Sequence, residues 1–320
     1  MKYNARMEKR HKKKRRRFLL VLPLLFFIMM GLVYGSFITY KAIVAAGDAH
    51  LDLKRGGKSE LRDKVVDPGK DNISVLFLGV DDGGSRNFGD SARTDAIMVA
   101  TFNRKDKSVK MLSIPRDSYV MQPDRGTYDK INHAHAFHGI DGVVNTVEDL
   151  LDIPVDYYVR MNFTAFIEVV EALGGIEVDV PISFTEMDSH DRKNAISLEK
   201  GVQVINGEEA LALARTRKLD NDIERGKRQQ LIVQGIIKEA ASVSSITSYG
   251  NVIDALGNNI TTNMRFSQLV ALHDYALGLS TESLSISGQD SRINGVYYYQ
   301  LDEQSLAEVK RELRQHLQLN

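Results

Sequence analysis

Between Phe18 and Tyr40 the chain runs 23 residues without a charged side chain. In a helix, that length crosses a hydrocarbon layer of about 30 Å with some tilt. Residues 1–17 set ten Lys and Arg side chains against one acid, Glu8. A basic flank stays on the cytoplasmic side, so the pattern predicts a single-pass type II anchor with everything after Tyr40 outside the cell membrane. The formal net charge of zero conceals this arrangement, because the other 303 residues carry 32 basic and 41 acidic side chains. Cleavage near Val44-Ala45-Ala46 is the competing reading, but a secretory apolar region is usually about 7–15 residues long. The basic cluster in isolation could hold nucleic acid. Directly before a span it instead sets topology and touches anionic lipid head groups. The expected partner is therefore the membrane and no nucleic acid, and a cytosolic enzyme is excluded.

The chain has no cysteine. An exported domain without disulfides or thiolate ligands must be stabilised by its core alone. At 43% apolar and 26% charged residues, the composition suits one globular domain. The expected organisation is a basic tail (1–17), a transmembrane helix (18–40), a partly helical extracytoplasmic stalk (41–72) and a catalytic domain (73–320). The stalk ends at the Pro68-Gly69 turn signal. Strands are expected at Ile73–Val80, Asp95–Asn103, Ser108–Ile114, Val155–Met161 and Ile176–Val180, and near Leu284–Ser287 and Gly295–Leu301. Helices are expected over Asp141–Leu151, Phe163–Leu173, from the capping box at Asn206-Gly-Glu-Glu209, over Asp222 to about Ala241, over roughly Phe266–Leu279, and over Ser305–Leu317. Helices interleaved with apolar strands predict an α/β fold, a sandwich around a mixed central sheet.

The first three strands concentrate the chemistry. The charged turn Arg104–Lys107 makes the second and third a hairpin, and the polar, glycine-rich loop after Asp81 can make the first two antiparallel as well. The end of the first strand, the start of the second and the end of the third then share one edge. Those places carry Asp81, Arg93-Thr94-Asp95 and Arg116-Asp117. Paired carboxylates such as Asp81 and Asp95 suit Mg2+ (or Mn2+), which takes one or two acids plus phosphate oxygens and water. Arg93 and Arg116 beside them could clamp phosphate. A second cluster holds Arg215, Arg217, Arg225, Arg228 and Gln229. If one helix ends near Ala214 and the next is capped by Asp220 or Asp222, these donors gather at a positive helix end. The same face continues as Ile232, Val233 and Ile236, an apolar surface. Metal-binding acids, arginines and an apolar surface outside a membrane suit a lipid-linked diphosphate.

The series Leu78-Gly-Val-Asp81, Arg93-Thr-Asp95, Leu112-Ser-Ile-Pro-Arg-Asp117, Lys130-Ile-Asn-His133, Thr146-Val-Glu148, Ala172-Leu-Gly-Gly175, Asn206-Gly-Glu-Glu-Ala-Leu211, Arg215-Thr-Arg217 and Arg225-Gly-Lys-Arg-Gln229 resembles the LytR-CpsA-Psr family. The resemblance covers nearly the whole exported domain and leans toward the family's wall-teichoic-acid ligase branch of Gram-positive bacteria. It implies an α-β-α fold that holds a polyprenyl chain in a hydrophobic pocket. It further implies transfer of an anionic glycopolymer from undecaprenyl diphosphate to the C6 hydroxyl of N-acetylmuramic acid in peptidoglycan, in cell wall biogenesis. By the same resemblance, Asp81 and Asp95 fall at metal-site positions, and Arg116, Arg215, Arg217, Arg225 and Gln229 at pyrophosphate-site positions. Asp95 and Arg116 are the expected catalytic pair, with Asp95 or Asp81 accepting the acceptor's proton.

Two other patterns carry less. His133, His135 and His138 have a zinc-like spacing, but a bare spacing match rarely marks a site. Tyr297-Tyr-Tyr299 reads as strand packing with alternating faces and not as a sugar platform. Rival functions are a pyrophosphatase that hydrolyses the lipid diphosphate and a non-catalytic regulator that binds envelope lipid.

Overall fold

The structure is a computed structural model that describes residues 40, 44, 47, 49–80, 94–216, 222–240, 260–265, 267, 268, 271, 272 and 280–319. The basic tail and all of the expected span except Tyr40 lie outside these residues, as does most of the helix expected over 266–279. No helix among the described residues is long and apolar enough to cross a membrane.

A six-stranded mixed sheet forms the centre. In chain order its strands are β1 (Ile73–Val80), β2 (Thr94–Asn103), β3 (Ser108–Ser113), β6 (Tyr157–Asn162), β11 (Ile260–Thr262) and β12 (Ser280–Leu284). Their spatial order is β11-β6-β1-β2-β3-β12. β1, β2 and β3 form the expected antiparallel meander, while β6 joins β1 and β12 joins β3 in parallel. Alternate residues of the meander face opposite layers, as the pleat requires. Leu76, Leu78, Ile97, Val99, Leu112 and Ile114 face one core, which holds α1 (His133–Leu151) and α5 (Glu303–Leu317). Ile73, Val75, Met98, Ala100, Val109 and Met111 face the other, where Val233 of α4 (Asp222–Ala240) packs. β1 is apolar throughout because both of its faces are covered.

The remaining elements build a flank and a rim. α2 (Phe163–Ala172), α3 (Gly207–Arg215) and α4 enclose a further apolar cluster with the β7 (Ile176–Val180) and β10 (Gly201–Ile205) ribbon. Two short hairpins were not foreseen: β4 (Tyr119–Gln122) with β5 (Thr127–Lys130), and β8 (Phe184–Glu186) with β9 (Ile196–Leu198). The expected strand near Leu284–Ser287 is displaced, since β12 ends at Leu284 and β13 (Gly288–Ile293) pairs with β14 (Val296–Leu301). α1 starts eight residues before the expected helix and kinks at Gly139, whose φ of 64° favours glycine.

The stalk is a correction. Residues 49–72 are not a spacer but a belt bound to the domain. Ala49, Leu53 and Val66 are buried, and Thr262 N–H and O bond to the backbone of Ala49 and Leu51. The Tyr158 and Tyr157 hydroxyls donate to Leu51 O at 2.7 Å and Val66 O at 2.8 Å. Burial of both phenols pushes their pKa upward, which keeps them as donors. Arg62 forks onto buried Asp156 at 2.9 and 2.6 Å, and Arg55 pairs with Glu148. The belt's many charges give it a solvated look, but two of them, Arg55 and Arg62, bind it to the domain. The Pro68-Gly69 turn lies as expected, and Val44 and Gly47 are helical, in keeping with a partly helical segment.

Candidate active site at a strand edge

The meander ends at one edge. Val80 pairs with Thr94, and Ile114 N–H donates to Ile97 O just past the end of β3. Pro115 stops β3, and the turn that follows is pinned by Ser118, whose N–H and hydroxyl both donate to Pro115 O. Asn132 N–H donates to Arg116 O at 3.2 Å, and Tyr299 N–H to Asp117 O at 2.9 Å. This fixed turn aims Arg116 at Asp95 on β2, and Arg116 Nη1 pairs with Asp95 Oδ1. The carboxylate side chain stays 34% exposed and the guanidinium 24%, so the pair faces the edge and not the core.

α4 delivers the second set of donors across the same edge. Gly226 lets the helix approach, because a Cβ there would lie 2.8 Å from Ser113 Cβ and Oγ. Close approach puts Arg225 Nη2 3.0 Å from Asp95 O. Gln229 lies near Ser113 Oγ and Ala214 O, each at 3.4 Å, and Gln230 Nε2 donates to Met111 O at 3.2 Å and Leu284 O at 3.1 Å. Asp95, Arg116, Arg225 and Gln229, from three segments, are thus gathered around the ends of β2 and β3.

Two other expected donors have different surroundings. Arg228 is 2% exposed and donates to Leu213 O at 3.3 Å and Thr216 O at 2.8 Å, satisfying the last carbonyls of α3. Arg215 ends α3, with its guanidinium 4.8 Å above the Phe163 ring and 3.7 Å from Asp191. α3 begins with the expected capping box, in which Asn206 and Glu209 exchange side-chain and backbone bonds. It ends at Arg215, one residue past Ala214 as expected, and the backbone leaves the helix at Thr216. Asp81, Arg93 and Arg217 lie outside the described residues, as does Asp220. The apolar continuation of α4 is not a surface: Ile232 is 1% exposed, and Val233 and Ile236 pack on separate cores.

Sequence reading passed over Lys130 as a site residue. Its Nζ lies 2.7 Å from Asp117 Oδ1, and Asp117 Oδ2 lies 3.6 Å from Arg116 Nε. Lys130 therefore extends the charged chain from Asp95 to the β4–β5 hairpin. Pro123-Asp-Arg-Gly126 was the available signal, a tight turn with Pro at its start. Nearby, burial opposes ionisation of Asp129, but bonds from His133, Lys130 N–H and Arg125 outweigh it and hold the carboxyl below the usual range. His133 is thus tied to Asp129 at 3.1 Å while His135 is buried. Among the described residues no three His, Asp or Glu side chains converge as a metal cage. Among the described residues, Asp95 supplies the most accessible carboxylate at the edge. That fits Mg2+ only as part of a site completed by another acid, phosphate oxygens and water.

A family model for LytR_cpsA_psr matches residues 36–315. The chain is 42% identical to the polyisoprenyl-teichoic acid–peptidoglycan teichoic acid transferase TagT of Bacillus subtilis (strain 168) over 317 residues, 98% of each chain. It is 40% identical to the transferase TagU of Halalkalibacterium halodurans over 90% of this chain and 93% of the relative. Among solved structures, TagT bound to LI-WTA superposes with a TM-score of 0.73 at 44% identity, covering 84% of this chain and 100% of that one. The LytR-CPS2A-psr family protein YwtF (TagT) with bound octaprenyl pyrophosphate lipid superposes with a TM-score of 0.69 at 41% identity, covering 84% and 100%.

Proposed function

Because this chain belongs to the LytR-CpsA-Psr family, we propose that it transfers an anionic glycopolymer, in the first instance wall teichoic acid, from a polyprenyl diphosphate carrier to peptidoglycan. The acceptor is the C6 hydroxyl of N-acetylmuramic acid, and the work is done outside the membrane by a domain held on a type II anchor. The observation that carries the reading is the strand edge where Arg116 pairs with the Asp95 carboxylate and the buried Arg225 donates to the Asp95 backbone carbonyl. Relatives named as transferases support the reaction, and a relative holding octaprenyl pyrophosphate supports the carrier.

Phosphoryl transfer depends chiefly on positioning and charge neutralisation. Arg116, Arg225 and Gln229, with Arg93, Arg215 and Arg217 joining from neighbouring segments, would grip the two phosphates. Arginine is suited to this, since its planar fork binds two oxygens at fixed geometry. Arg228 would hold the end of α3 in place for Arg215 and Arg217. Mg2+ (or Mn2+), held by Asp95 and Asp81, would neutralise charge on the diphosphate. Asp95 exchanges its present partner Arg116 for the incoming acceptor hydroxyl; as Asp95 or Asp81 removes its proton, the hydroxyl oxygen bonds to the glycan-bearing phosphorus and the bond from that phosphorus to the bridging oxygen breaks. Arg116, released toward the phosphate, stabilises charge on the departing polyprenyl phosphate.

The test is transfer of a labelled lipid-linked glycan, assayed with and without peptidoglycan fragments. A glycosyl phosphate attached to the acceptor supports the transferase. Free glycan phosphate, released equally without acceptor, would make the protein a pyrophosphatase. Tight lipid binding with neither product would make it a lipid-binding regulator.

A further inference from the structure

Beyond the strand edge, the charged chain leads onto an aromatic surface. Lys130 Nζ sits 5.6 Å from the Tyr297 ring centre and 5.7 Å from that of Tyr298. Tyr298 meets Tyr119 edge-on at 4.8 Å, and Tyr119 meets Tyr128 at 5.3 Å with the planes tilted by 34°. Tyr119 is half-buried between the other two, whereas Tyr128 remains 55% exposed on a two-stranded hairpin. Phe137 is also exposed, at 53%, with the Arg125 guanidinium of the β4–β5 turn 4.0 Å above its ring. Rings that served only the core would be covered, and these are not. The alternation expected for Tyr297-Tyr-Tyr299 is present in that Tyr299 is buried, but Tyr298 stacks outward in the cluster.

We propose that the ledge formed by Tyr119, Tyr128 and Tyr298, with Lys130 at its inner end, binds the saccharide strand that receives the transferred group. The inference rests on the transferase reading and extends it to the acceptor. Pyranose rings present polarised C–H bonds on one face, which match the negative face of an aromatic ring. Their rims carry hydroxyl and amide groups, which match the phenols, Asp129 and Lys130. An isoprenoid would be a poor fit, because charged side chains lie among these rings. The contacts Lys130–Asp117–Arg116–Asp95 run without a break from ledge to proposed reaction centre. A strand lying on the ledge would therefore lie beside the charged chain that ends at Asp95. Burial, reinforced by Asp129 and Tyr119, raises the pKa of the Tyr298 phenol, so it is a donor at neutral pH.

The chain contains no tryptophan, which provides a direct probe. Tyr128→Trp keeps an aromatic face and becomes the sole indole. Its emission is titrated with a peptide-free β-1,4-linked tetrasaccharide of alternating N-acetylglucosamine and N-acetylmuramic acid. A saturable emission shift is expected. In the transfer assay, Tyr128→Ala should raise the KM for this acceptor at least five-fold, with kcat within two-fold and donor affinity unchanged. Tyr128→Trp should retain a near-normal KM. An unmoved indole emission, or an acceptor KM for Tyr128→Ala within two-fold of the parent, overturns the ledge. Absence of transfer by the parent protein, with the emission shift intact, overturns the transferase reading and leaves the saccharide site standing.

Discussion

Side chains of the same type do different jobs here, and burial separates them. Asp95 and Arg116 are both partly exposed at a sheet edge, so their loss should spare the fold. Asp95→Ala and Arg116→Ala are each expected to lower transfer about 10²–10³-fold, the range seen when a charge-stabilising group is removed. Their thermal midpoints should stay near the parent's; unfolding of either variant would mean the pair is structural. Arg217→Lys should still bind lipid diphosphate weakly while turnover falls further than binding, because lysine supplies charge without the fork. Near-normal turnover would make Arg217 a surface charge. Arg228 belongs to the other class. Buried and engaged with two carbonyls of α3, Arg228→Met should destabilise the protein by about 1–3 kcal/mol, the cost of leaving buried acceptors unpaired. A chemical denaturation curve unchanged from the parent would contradict that role.

At the scale of elements, the sequence was readable wherever local rules decide the outcome. The β1–β2–β3 meander, α2, β7, α3's capping box, α4 and α5 follow from apolar periodicity, turn residues and caps. Asn206→Ala should cost about 1 kcal/mol through the lost cap, and should weaken donor binding as well, since α3 carries Arg215. The elements that escaped are short and set by partners distant in sequence. β4 and β5 have four residues each, and β8 and β9 three, too few for a periodic signal. The site shows the same division. Asp95 and Arg116 were legible because strand ends that share an edge must bring their residues together. Lys130 was not, because its place depends on the unforeseen hairpin. Arg228 looked like a ligand donor because its charge is visible in sequence whereas the carbonyls it serves are not.

For the molecule as a whole, one source of acid sensitivity lies where α5 crosses the sheet. His316 bonds the hydroxyls of Thr101 and Ser108 at 2.8 Å each. Burial, with Lys110 nearby, lowers its pKa from 6.5 to about 4, despite Asp106, Glu282 and Glu312 around it. The unfolded chain therefore takes up this proton first, and stability is fully present above about pH 6.5. It declines as pH falls through the window from 6.5 toward 4, by about 3 kcal/mol at most. His316→Gln should flatten urea-midpoint curves across that window; an unchanged slope would exclude His316 as the source. Tight binding of the belt is a second global property. Arg62→Met leaves Asp156 buried without its charge partner and should cost about 3–5 kcal/mol, read as a lower unfolding midpoint and earlier proteolysis within 49–72.

That belt also limits how far the protein can act. With residues 49–72 fastened to the domain, only residues 41–48 remain between the proposed anchor and the first docked side chain. Eight residues, even fully drawn out, extend no more than about 30 Å. On the proposed anchor, the domain would be held close to the bilayer, where a lipid-borne donor would be met by diffusion in two dimensions. Acceptor strands would then have to come down to that height, and leash length as well as chemistry would decide the site of attachment in the wall. New polymer would accordingly enter the innermost, most recently laid layer.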